Sequence, residues 1–140
     1  MHIIMKKIIP VLFTLSTFIV SSGLQAQPAS LKVKAQQYIN EVFRDCTPST
    51  EDSEIKDYAE RLSRIEIVTL SEYASEDYTL LSQVNFKNKC NPDLQPDNAA
   101  NFDPSSFNPF KYGLSFFPKS DKAYRVDNTQ YIILIHSKQD

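Results

Sequence analysis

Residues 1–26 limit what this chain can fold into, because they read as an export leader and leave residues 27–140 to build the fold. Lys6 and Lys7 form a positive n-region. Ile8 to Val20 form an apolar h-region of thirteen residues, and Ser21 to Ala26 a small, polar c-region ending at the expected cut. A spanning helix needs about 20 apolar residues, so this run is too short for an anchor. The expected location is the periplasm or the extracellular medium, with no integral membrane span once the leader is removed.

Residues 27–140 suit a single globular domain. Of the fifteen basic residues, Lys6 and Lys7 leave with the leader, so thirteen remain against seventeen acidic ones. Nucleic acid and anionic membranes both demand a basic footprint, and neither is expected as a partner. Gly113 is the one glycine left after the leader. Phosphate-cradling loops need several glycines for close backbone approach, so no nucleotide cofactor is expected, and no other cofactor is indicated.

Cys46 and Cys90 are the two cysteines. An oxidising compartment permits a disulfide between them. Their spacing, with one histidine left, is not a zinc pattern, and no metal is expected. Asp97, Asn101 and Asp103 could offer oxygen ligands to calcium but miss the EF-hand pattern; they read as turn formers. A Cys–His dyad with His136 would need a free thiolate, which conflicts with the bridge.

Ala29 to Asp45 reads as an amphipathic helix with Leu31, Ala35, Tyr38, Ile39 and Val42 on one face, widened by Val33 and Phe43. A second helix is expected from the cap-rich stretch Ser49 to Glu54 to about Arg64, burying Ile55, Tyr58, Ala59 and Leu62. The period then switches to alternation. Ile65 to Leu70 and Tyr78 to Phe86 read as a β-hairpin, with further strands at Tyr112 to Phe117, Ala123 to Val126 and Tyr131 to Ile135. The expected fold is α+β, with two N-terminal helices packed on one face of a small antiparallel sheet of about five strands. The last strand is apolar on both faces and reads as central. Its second face needs a cover, either the long loop or a partner chain.

Asn88 to Lys111 carries Pro92, Pro96, Pro104 and Pro109 and has no periodicity. Loops of this length inside a domain tend to be functional. Phe102, Phe107, Phe110 and Tyr112, with Lys111 beside them, form its one notable constellation, of the kind that anchors interfaces or pins a loop to a core. No catalytic residues are indicated, and there is no nucleophile elbow. The expected function is therefore a small exported binding protein without catalysis. It would engage another protein through residues 88–112, as an inhibitor or neutralising partner, and be a monomer or homodimer. A small carboxylate-dependent hydrolase and a self-associating envelope protein are the alternatives.

Overall fold

A strand that is apolar on both faces has to lie between others, and Tyr131–Ile135 does. In the computed structural model, which describes residues 28–138, the elements are α1 (Pro28–Val42), α2 (Asp52–Ser63), β1 (Ile65–Thr69), β2 (Thr79–Leu80), β3 (Lys122–Arg125) and β4 (Tyr131–Ile135). The expected leader lies outside the described residues. The sheet order is β1-β4-β3-β2. β4 pairs antiparallel with both β1 and β3, setting Ile133 beside Ile67 and Tyr124. Ile132, Ile133 and Ile135 are fully buried. The architecture is α+β, as expected, with two helices against one sheet.

The sheet departs from expectation in two respects. It has four strands rather than five, and it is mixed, because β2 runs parallel to β3. β1 and β2 do not form a hairpin. The Glu72 and Tyr73 amides both donate to Thr69 O, at 3.0 and 3.1 Å, and turn the chain off the end of β1. It then re-enters the sheet at the opposite edge as β2. Ser82 ends β2 early: its amide and hydroxyl donate to the Asp127 carboxylate at 3.0 and 2.6 Å. Residues Leu81–Gln83 close into a 3-10 turn there.

Tyr112 to Phe117 alternates in burial without being a strand. Tyr112, Leu114 and Phe116 are buried, while Gly113 and Phe117 are exposed. The Gly113 amide donates to Asn85 O at 2.8 Å and the Ser115 amide to the Tyr124 hydroxyl at 3.0 Å. An isolated bridge from Tyr112 to Phe86 is the ladder contact of this stretch.

The helices bury the stripes that their spacing marks. Ala35, Ile39 and Val42 of α1 and Ile55 and Ala59 of α2 join Tyr124, Ile133 and Ile135 in one hydrophobic cluster. Val33 instead points to solvent, 61 % exposed. The long loop fills the space between the helices and the sheet. Phe110 puts its ring 6.4 Å from Tyr38 of α1, 4.8 Å from Tyr58 of α2 and 5.7 Å from Phe116.

The second sheet face, for which the long loop or a partner chain is the expected cover, is crossed by residues 70–78 on their way between the two edges, and the loop lies on the helix side. Tyr73 and Tyr78 border Ala123 and Arg125 of that face. Arg125 donates to the Tyr78 hydroxyl at 3.0 Å with its guanidinium 5.6 Å from the ring. Cys46 and Cys90 form the expected disulfide, Cα atoms 5.3 Å apart, and tie the end of α1 to the start of the loop. No helix among the described residues is long and apolar enough to cross a membrane.

Candidate functional site

A segment without strands or long helices must satisfy its backbone some other way, and residues 88–112 do it with side chains. The last turn of α1 leaves carbonyls without helical partners. Asn91 Nδ2 donates to one of these, Glu41 O, at 2.8 Å, and Asn108 Nδ2 adds a bond to Tyr38 O, one turn earlier, at 3.0 Å. Each asparagine turns its own carbonyl on the loop: Asn91 Oδ1 accepts from the Asp93 amide and Asn108 Oδ1 from the Phe110 amide. Both are nearly fully buried. The loop is thus the C-terminal cap of α1. Sequence reasoning missed these two residues, because asparagine in a proline-rich stretch reads as a turn former.

Of the five residues singled out in the sequence, Phe102, Phe107, Tyr112 and Lys111 come together on the inner side of this loop, and Phe110 turns instead to the helices and Phe116. Phe107, Phe110, Tyr112 and Lys111 are buried and Phe102 half-buried. Phe102 lies 5.5 Å from Phe107 and 5.1 Å from Tyr131, ring to ring, and Phe107 stacks on Tyr112 at 6.1 Å. Lys111 Nζ donates to Gln95 O at 2.8 Å and lies 2.9 Å from Asp97 Oδ2. The Tyr112 hydroxyl donates to the same carboxylate at 2.9 Å and accepts from the Asp97 amide at 2.7 Å. Burial pushes the Tyr112 phenol well up, to where it stays protonated at every physiological pH. These side chains hold the loop in place, and of them Phe107 also reaches the surface that the loop offers.

The oxygens considered for calcium are engaged. Asp97 holds Lys111 and Tyr112; Asn101 bonds the Asn98 amide at 2.7 Å and donates to Pro96 O at 3.1 Å; Asp103 accepts from Ser105. Those Ser105 bonds hold the Asp103 carboxyl below its usual range. Among the described residues no group of three or more His, Cys, Asp or Glu could hold a metal ion.

His136 sits just past β4 between two acids, 2.7 Å from Glu66 Oε2 and 3.2 Å from Asp121 Oδ2. The Glu66 bond raises its pKa, burial opposes this and Asp121 adds to it. A raised folded value means that the stabilisation is fully present below the ordinary imidazole value, about 6.5. It is lost as pH rises through the folded value. All three side chains are partly exposed, so the effect should stay below about 1 kcal/mol. Proton NMR titration of His136 is expected to give a value above the ordinary one, falling toward it in Glu66→Gln. No change in that variant would remove Glu66 as the cause. The Ser137 amide and His136 hold the Asp121 carboxyl low, opposite to the raised value a general acid needs.

The outer side of the loop meets α1 and β1 around a groove of about 430 Å³. Leu31 and Tyr38 of α1, Leu62 of α2, and Pro104, Phe107 and Pro109 of the loop wall it, with Ile65 and Ile67 of β1 at its side. Lys34 and Ser105 stand on its exposed rim. β1 is an edge strand. The His136 amide donates to Arg64 O and the Leu70 amide to Gln130 O, bracketing its ladder. In an antiparallel ladder alternate residues turn to the partner, so Glu66 and Val68 face β4. The N–H and C=O of Ile65 and Ile67 face outward and meet no partner among the described residues. Thr69, the next outward residue, is closed: its amide donates to Glu72 Oε2 at 2.9 Å and its carbonyl accepts from the turn. An apolar groove beside unpaired backbone can hold an extended chain. Comparison of the chain with protein-family models, curated proteins and solved structures finds no match.

Proposed function

We propose that this chain is an exported interaction protein, without catalysis of its own, that takes a protein partner at the groove formed by the 88–112 loop, α1 and β1. The groove carries the reading: it is lined mainly by apolar side chains and lies beside two edge residues whose backbone groups have no partner among the described residues. The leader-like start of the sequence and the Cys46–Cys90 bridge are compatible with export. Phe107 lines the groove itself, and Phe102 and Tyr112 pack behind it.

The test blocks the groove without touching the core. Ser105→Trp and Lys34→Glu change exposed rim positions and should leave the melting temperature within a few degrees of wild type. Immobilised wild-type protein is expected to capture a partner from envelope and culture fractions of its source cell, and both variants to lose it. Capture that is unaffected by filling the groove would overturn the reading.

A further inference from the structure

We propose that the groove accepts an extended segment of its partner as an added antiparallel strand on β1, with the local pattern apolar, basic, apolar. This rests on the reading of the groove as a protein-binding site and names what binds there. The free edge is short. α2 and Leu62 close one end, and the Glu72 cap on Thr69 closes the other. Between them Ile65 and Ile67 offer two N–H donors and two C=O acceptors. An antiparallel strand set opposite these residues satisfies all four groups with two of its own residues.

The register then assigns the side chains. Opposed residues point to the same sheet face. Ile65 and Ile67 point to the groove, with Leu31, Leu62, Phe107 and Pro109 around it, so the two partner residues opposite them are apolar. The residue between lies opposite Glu66, on the other face. The charges packed there are Glu66, Asp121 and His136, with Glu66 from β1, His136 following β4 and Asp121 preceding β3. Two carboxylates against one imidazole favour a basic side chain at that position.

The same charge argues against a second copy of this chain. A β1–β1 pairing that uses the outward groups of Ile65 and Ile67 sets Glu66 directly against Glu66 of the other copy. Like charges directly opposite are destabilising, and a charged side chain on an edge strand is a known guard against edge pairing. The edge is closed to itself and open to a strand of complementary charge.

The probe is a short, capped peptide with Val-Lys-Val at its centre, added to the 27–140 protein and followed by amide NMR. Shifts and slowed hydrogen exchange are expected at Ile65 and Ile67. N-methylating either valine amide, which leaves the protein unchanged, is expected to weaken binding at least tenfold. Replacing lysine by glutamate should weaken it about threefold, less so at high salt. Ile67→Pro removes an outward N–H and no ladder bond, and should abolish binding with the melting transition retained. Equal affinity of the N-methylated peptide, or shifts away from β1, would overturn strand addition. If the rim variants still abolish partner capture in that case, the groove binds protein by another mode. If they do not, the functional reading fails with it.

Discussion

Replacing Phe110 by alanine is expected to lower the unfolding free energy by about 3–5 kcal/mol, the range for removing a buried aromatic ring. Phe110 is 3 % exposed and lies where α1, α2 and residues 112–117 meet, against Tyr38, Tyr58 and Phe116. For a domain of this size the loss corresponds to a fall in Tm of roughly 10–25 °C. Phe117→Ala is the control. That ring is 52 % exposed, and its contacts are the guanidiniums of Arg61 and Arg64 at 5.5 and 4.9 Å. It should cost about 1 kcal/mol or less. Denaturant unfolding measures both. If Phe110→Ala fell in the range of Phe117→Ala, Phe110 would be a surface anchor rather than the post on which the layers rest. The comparison also settles how binding data on loop variants are read, since a partner lost with Phe110 is lost with the fold.

Removing the disulfide is the second large effect. Cys46 and Cys90 are 44 residues apart, and closing a loop of that length removes denatured-state entropy worth about 4 kcal/mol in the chain-entropy model. Cys46 is exposed and Cys90 half-buried, so replacing both by alanine costs little packing. The expected fall in Tm is roughly 10–20 °C. Reduction of wild-type protein should match the double alanine variant within a few degrees. A fall below about 3 °C would mean that Asn91 and Asn108 fix the loop to α1 without the bridge.

The elements set by hydrophobic period were legible in the sequence. Both helices fall within three residues of their expected ends, and Tyr131–Ile135 lies where its double-sided apolar pattern puts it. The disulfide followed from the count of two cysteines. Period alone misjudged Tyr78 to Phe86 and Tyr112 to Phe117. Burial alternates as expected in Tyr112 to Phe117 but not in Tyr78 to Phe86, where Leu81 is the buried residue. In both, the hydrogen bonding departs from a strand, because Asp127 takes the Ser82 amide and Tyr124 takes the Ser115 amide, so the backbone leaves the ladder. The hairpin failed because chain order is a weak guide to strand order once a connection such as residues 70–78 can cross a face. In the loop, the aromatics were found by type and the two asparagines were not, since their role depends on carbonyls of α1 about fifty and seventy residues earlier. The groove had no sequence signal at all. It exists because three separate segments end near one strand edge.

The place of β4 has a kinetic consequence. It is the centre of the sheet and also its last strand in chain order, and it pairs Ile135 with Ile65, seventy positions away. Contacts of that range form slowly, because a long loop must close before any of them is gained. A chain emerging N-terminus first can form its helices, but they have no sheet to pack on, and β1 has no partner until residues 131–135 appear. The order of the strands therefore keeps the chain unfolded through most of its emergence, which is the state that passage across a membrane, as the proposed export requires, demands of it.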